Sequence, residues 1–344
     1  VATLTTMRRT IAILVFVLFL GFFATAFIPF AGRGPAESFV IHPGDGASSV
    51  SKRLLQAERI ASWQRPTFLI LARATQLQKR LRPGLFQLPA SASAWRLVRL
   101  LETITPRSLR VTLPEGRTCE DFSGILERNW LGDSLALARL CRDSIFAASL
   151  GIHSGSLEGH LFPDTYLFEG GESAQDIWRT LHRHFLQVMS EVADTASPVW
   201  RKYGETGTLT LASIVEREAA VRKEAPLIAG VFWLRLRDQI PLGADPTVRY
   251  ALGKFTGTLS KKDLALPSPY NTRLYAGLPP GPIANPGKDA LKAAMHPDTT
   301  GGWLYFVAKD DGSREHFFGR TLNEHVHYKH QAERNRKASG VMTP

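Results

Sequence analysis

Thr208-Leu209-Thr210-Leu211-Ala212-Ser213-Ile214-Val215-Glu216-Arg217-Glu218-Ala219-Ala220 is the stretch on which the reading of this chain turns. Leu211, Ile214, Val215 and Glu218 fall on one face of a helix. Glu216 shares its own face with Ala212, Ser213, Ala219 and Ala220, its neighbours at i−4, i−3, i+3 and i+4. All four are small, so something bulky can approach the carboxyl. The apolar turn before it withholds water, which raises a carboxyl pKa. A carboxylic acid still protonated near neutral pH is what cleavage of a glycosidic bond requires, because the leaving oxygen must receive a proton. Glu218 lies roughly 200° round the helix from Glu216 at ~100° per residue, so the two cannot face one cleft. Glu216 is therefore the candidate catalytic acid, and Glu218 is assigned a structural role, paired or hydrogen-bonded. A lone helical glutamate is more often solvated or salt-bridged, with Arg217 or Arg222 at hand, so the surroundings must carry the case.

Those surroundings are loops of unusual rigidity. Leu242–Tyr250 (LGADPTVRY) is a polar loop running into a helix, and Pro267–Thr272 (PSPYNT) and Gly277–Gly287 (GLPPGPIANPG) follow it. Proline fixes φ, and glycine permits close backbone approach. Asp245, Thr247, Tyr270, Asn271 and Asn285 on these loops are candidates for binding sugar hydroxyls, the amides by hydrogen bonding and the ring by packing on a pyranose face. Plain turn chemistry explains the same composition. His325, His327 and His330 invite a metal reading, but no carboxylate or cysteine stands at metal-ligand spacing beside them, and no metal or diffusible cofactor is expected.

At the other end, Ile11–Ile28 (IAILVFVLFLGFFATAFI) is 18 residues without a charge. At ~1.5 Å per residue it spans ~27 Å, close to the ~30 Å hydrocarbon core of a bilayer. Arg8 and Arg9 precede it, which by the positive-inside rule keeps the N-terminus in the cytoplasm and places everything after residue 31 outside. Ala24-Thr25-Ala26 has the small-x-small pattern of a cleavage site, so a cleaved signal peptide is the rival reading. Phe27, Ile28 and Phe30 continue the apolar character past that point and favour an anchor.

The 344 residues suffice for about two domains. With 44% hydrophobic and 21% charged residues, the composition is that of a globular protein and excludes a disordered or collagenous chain. The formal net charge of +11 implies an anionic neighbour. Between residues 31 and 105 there are eleven basic residues against four acidic ones, so a basic module stands next to the apolar segment and suits anionic headgroups as well as a solvated face. Nucleic acid fits the charge but not the topology. Cys119 and Cys141 are too few for a disulfide framework; one bridge and two buried thiols are both open.

Gly32–Ala36 reads as a linker, Phe39–Ile41 as a strand, and Pro43–Gly46 as a turn. Ser48–Ile60, Pro66–Leu81 and Ser93–Thr103 read as helices, with a strand at Leu85–Leu88. Beyond these come a strand at Leu109–Leu113, mixed helix over 119–150, and a long helix over 174–200 ending near Pro198. Trp303–Val307 and His316–Phe318 form a hairpin, and a basic helical tail runs from Glu324.

Taken together, LASIVERE (211–218), EGHLFPDTY (158–166), DPTV (245–248), YNT (270–272), GLPPGPI (277–283), NPG (285–287) and YFV (305–307) resemble, in this order, the endolytic murein transglycosylases, the YceG-like family. The resemblance covers nearly the whole chain. It implies an α+β protein with a transmembrane anchor (1–31), a LysM-like membrane-proximal subdomain (37–105) and a larger mixed catalytic domain (106–335). It also implies an inner-membrane enzyme facing the periplasm. Such an enzyme cuts nascent peptidoglycan strands internally, between MurNAc and GlcNAc, and leaves 1,6-anhydro-MurNAc ends that terminate elongation. The family's catalytic glutamate carries over to Glu216. Glycan strands, membrane lipid and peptidoglycan synthases are the implied partners. A conventional muramidase with Asp245 as second carboxylate, and a non-catalytic glycan-binding scaffold, are the alternatives.

Overall fold

The computed structural model describes residues 2–31, 37–42, 44–103 and 108–339. The expected linker at 32–36 and Pro43 of the expected turn lie outside these. The chain divides into two units, one made of 1–111 with 127–132 and 166–173, the other of 112–126, 133–165 and 174–344.

The first unit opens with α1 (Ala2–Phe27), whose segment Met7–Phe27 has a mean hydropathy of 2.6 and is long and apolar enough to cross a membrane. Its C-terminal end is tied down rather than free. Ala26 is buried, Thr25 Oγ1 lies 2.6 Å from Thr67 Oγ1, and Gln64 Nε2 donates to the Ile28 carbonyl at 3.1 Å. After the two-residue β1 (Phe30–Ala31) come β2 (Glu37–Ile41), α2 (Ala47–Gln56), α3 (Arg65–Ala74), β3 (Gly84–Leu88), β4 (Ser91–Ala92) and α4 (Ala94–Thr103). β1 pairs with β4, and β2 pairs antiparallel with β3 in the register Phe39↔Phe86, so the order is strand, helix, helix, strand. Phe39, Val50, Leu54, Phe68, Phe86 and Leu97 form its core.

Two expected helices here are shorter than the periodicity predicts. α2 stops at Gln56, and Ile60 reaches the core from the turn after it. α3 ends at Ala74 because Gln76 takes a left-handed conformation (φ 53°); one 3₁₀ turn, Leu77–Lys79, follows. Leu77 is buried all the same, which is why the apolar spacing looked continuous.

β5 (Leu109–Thr112) leads toward the second unit and pairs with β6 (Thr165–Phe168). Between them lie α5 (Cys119–Arg128), α6 (Ser134–Cys141) and α7 (Ser144–Ser149), the last two capped by Asp133 and Asp143. A disulfide joins Cys119 to Cys141, settling the state of the two thiols.

The long helix expected over 174–200 is two. α8 (Ala174–Val192) ends well before Pro198, which opens α9 (Pro198–Glu218) under a Ser197 cap that accepts from Trp200 N at 3.1 Å. Proline at the first helical position lacks only an N–H that would be unpaired anyway, so it starts a helix as readily as it stops one. Gly204, at φ 67°, kinks α9, and the straight part runs from there to Glu218. It packs with α10 (Ala225–Arg237), α11 (Asp245–Leu252) and, after the short α12 (Lys261–Leu264), with α13 (Lys288–Met295). The hairpin β7 (Tyr305–Ala308) and β8 (His316–Gly319) and the terminal α14 (Leu322–Ser339) complete the unit. Every residue from Thr208 to Val215 is at most 1% exposed, so this part of α9 is the centre of the core.

Candidate active site

α9 thus delivers three charged residues, Glu216, Arg217 and Glu218, straight out of a dry core at its last turn. Ala219 is the C-cap and is not helical, so Ala219 and Ala220 do not continue the Glu216 face as expected.

Glu216 is used as a brace. Its Oε2 accepts from Gly287 N at 3.0 Å, at the N-terminus of α13, where the helix dipole favours a carboxylate. Gly116 packs on its Cγ in a left-handed conformation (φ 71°), and a Cβ there would stand 3.3 Å away. Arg222 bridges Glu115 (2.9 Å) and Asp289 (3.3 Å) beside it. Burial raises the Glu216 pKa; the Gly287 N–H opposes that rise, the charges of Glu115 and Asp289 add to it, and Arg222 opposes it.

Glu218 is placed differently. It lines two clefts, one of about 470 Å³ with Arg217, Arg249 and Phe255, the other of about 560 Å³ with Arg273, Tyr305 and Lys329. Asp245 lines both with it. Among the described residues the Glu218 side chain makes no hydrogen bond and no ion pair, so the pairing expected for it is not seen among them. Burial foremost, and the charge of Asp245 next, push its pKa up to about 7, with Arg273 and Arg217 pulling the other way. The two carboxylates do lie on different sides of the helix, as its period requires. Glu218 opens onto these two clefts, and Glu216 lines neither.

The loop residues expected to meet sugar divide sharply. Asp245, the first residue of α11, is held by Arg273, whose Nε donates to Oδ1 at 2.8 Å; this pair is exposed at the clefts. Tyr270 is half-buried against Tyr250, ring centroids 5.1 Å apart. The other three are buried and satisfied. Thr247 Oγ1 donates to the Ala244 carbonyl (2.8 Å) and lies 2.9 Å from Thr272 Oγ1. Asn271 Nδ2 donates to the Leu264 and Leu266 carbonyls, and its Oδ1 accepts from Arg273 N. Asn285 Oδ1 accepts from Gly159 N and Leu161 N, while its Nδ2 donates to the Arg117 carbonyl and Glu158 Oε1. Each is 0% exposed. Buried and bonded within the protein, these three groups brace the loops on which Asp245, Arg273 and Tyr270 stand.

Glu158 received no role from sequence. It is buried, accepts from Cys119 N at 3.1 Å, and has the Tyr250 hydroxyl 3.5 Å away. Burial first, then the charge of Asp121, push it up to about 8 against the donors around it. Arg217 Nη1 donates to the Gly116 carbonyl at 3.0 Å, and its guanidinium stands 5.8 Å from the Phe255 ring centre.

A mixed α+β unit with a raised carboxyl lining two clefts of mixed polarity defines a site suited to acid–base chemistry. The family model of the YceG-like family matches residues 39–331, and the chain belongs to that family. Among curated proteins it is 44% identical to an endolytic murein transglycosylase of Bacillus subtilis, over 49% of this chain and 46% of that one. It is 29% identical to an endolytic murein transglycosylase of Streptococcus pneumoniae, over 72% of this chain and 51% of that one. The chain spans about half the length of the curated relatives it matches. A crystal structure of a YceG-like protein from Listeria monocytogenes superposes with a TM-score of 0.59 at 28% identity, covering 85% of this chain and 99% of that one.

Proposed function

We propose that this chain is an endolytic peptidoglycan lytic transglycosylase in which Glu218 is the acid and then the base. The observation that carries the reading is the placement of Glu218, unpaired and raised toward neutrality, where two clefts meet. A strand lying through both clefts passes the acid mid-length, which is the geometry of an internal cut. Glu218 gives its proton to the glycosidic oxygen as the bond to the MurNAc C1 breaks. The resulting carboxylate takes the proton of the MurNAc C6 hydroxyl, whose oxygen closes on C1. No water is consumed, and the product is a 1,6-anhydro end. The nucleophile belongs to the same sugar, so its effective concentration replaces a second, water-activating carboxylate. Asp245, locked by Arg273, is suited to raising the Glu218 pKa rather than to activating water, which favours this reading over a muramidase.

The rest of the reading follows the sequence. α1 anchors the chain in the cytoplasmic membrane, with Arg8 and Arg9 inside and residues beyond 31 outside, where the Cys119–Cys141 disulfide suits an oxidising compartment. The strand–helix–helix–strand order of the first unit supports a LysM-like role in holding glycan. Peptidoglycan synthases are the expected neighbours.

The test is mass spectrometry of the ends released from purified murein. An anhydro end is one water lighter than a reducing end, which separates the transglycosylase from the muramidase. No new ends at all points to the scaffold.

A further inference from the structure

The larger cleft extends from Glu218 to a wall built by α14. His325 and Lys329, four residues apart on one face of that helix, both line it. The His325 ring stacks on Tyr305 at 5.2 Å between centroids, and its Nδ1 is buried with no hydrogen-bond partner among the described residues. Lys329 has no ion pair there either. The neighbouring cations are already engaged. Arg235 donates to the carbonyls of Leu304 (2.6 Å), Pro241 (3.2 Å) and Leu242 (2.8 Å), and Arg273 is held by Asp245. The acidic residues of this cleft, Glu218 and Asp245, are also the two that line the adjoining one. The α14 wall therefore offers a free ammonium and an unused ring nitrogen, beside apolar side chains such as Leu242 and Val307. An unused buried polar atom is costly unless a ligand completes it, and a free ammonium beside an imidazole donor suits a carboxylate.

We propose that the His325–Lys329 wall is a subsite for the peptide stem carried by the muramyl residue whose glycosidic bond meets Glu218. This rests on the transglycosylase reading and adds to it the part of the substrate that the sugar contacts leave undescribed. The stem begins at the lactyl group of the same sugar, bears a free α-carboxylate at its γ-linked glutamyl residue, and has small apolar side chains near its start. An apolar floor with a wall of one ammonium and one imidazole fits that alternation.

The test uses the full chain in detergent. The substrates are uncrosslinked glycan strands with their stems, and the same strands stripped of peptide by an amidase. Lys329→Ala is expected to lower kcat/KM on stem-bearing strands about ten-fold more than on stripped strands, mainly through KM, as loss of one charge-assisted hydrogen bond predicts. Lys329→Arg restores most of it, and His325→Ala shifts the ratio in the same direction. Equal losses on both substrates, or none, overturn the subsite. Binding of the synthetic tripeptide L-alanyl-γ-D-glutamyl-meso-diaminopimelate, measured by calorimetry, separates the two claims. If the wild type binds the tripeptide and Lys329→Ala does not, the subsite stands even where no anhydro ends form. If the wild type cuts but does not bind it, the subsite falls and the transglycosylase stands.

Discussion

Glu216 and Glu218 leave the same final turn of α9 for different fates: Glu216 Oε2 is fixed by Gly287 N at 3.0 Å, while the Glu218 side chain, with no hydrogen bond among the described residues, lines two clefts. One carboxylate holds the end of the helix against the start of α13, and the other faces the two clefts. The Gly287 N–H pulls the Glu216 pKa down but burial outweighs it, so both carboxyls are raised; what separates them is that Glu216 is already hydrogen-bonded to backbone while Glu218 lines the two clefts.

Activity should follow the protonated form of Glu218. With its pKa pushed up to about 7, kcat/KM is expected to fall with rising pH above that value, tenfold per unit once well past it. Asp245→Asn removes a charge that holds the proton on and releases Arg273, which draws it off. Both changes lower the pKa, so the alkaline limb should move to lower pH. Rates of anhydro-end formation across pH 5 to 9 check this; an unmoved limb would mean another group sets it.

Asn285→Ala should act on stability rather than on substrate affinity. It removes the partner of Gly159 N, Leu161 N, the Arg117 carbonyl and Glu158 at once, inside the protein. Leaving several buried groups unsatisfied costs about 2–4 kcal/mol. Urea unfolding should show the loss as a lower midpoint, and KM of the protein that remains folded should change little. A variant of wild-type stability with a raised KM would return Asn285 to the substrate.

Glu158 supplies a pH signature of folding. Its pKa is about 8 in the folded chain against an ordinary 4.5. The unfolded chain therefore ionises first, and the stability this group contributes is full below about 4.5 and is lost as pH rises through 8. Glu158→Gln cannot ionise, so its melting temperature should decline less between pH 5 and pH 8 than that of the wild type. Parallel curves would show that Glu158 is already ionised when folded.

Much of the fold was legible in residues 37–103 and 208–218, where apolar spacing alone marks the faces that become core. The errors have local physical causes. Gln76 breaks α3 by backbone conformation while Leu77 stays buried, so the hydrophobic pattern runs on across a helix end. Pro198 fits a helix end and a helix start equally well in sequence, and the Ser197 cap decides for a start. In the site, the opposition of Glu216 and Glu218 followed from helical period. That Glu218 lines these two clefts did not, because it depends on how Asp245, Arg249 and Phe255 pack around the end of α9, which helical period does not fix. The loop residues show the same limit. A polar side chain among prolines and glycines serves a ligand or the loop itself, and Thr247, Asn271 and Asn285 serve the loop. Arg273 was passed over because its significance lies in standing beside Asp245, 28 residues earlier in the chain.

The most direct measurement is the count of 1,6-anhydro ends released from purified murein by the wild type, Glu218→Gln and Glu216→Gln, each shown to be folded by circular dichroism. The Glu218 variant should release none above background, and the folded Glu216 variant should retain a measurable share of the wild-type rate with its alkaline limb in place. Anhydro ends from Glu218→Gln at a rate near that of the wild type would contradict the role of Glu218.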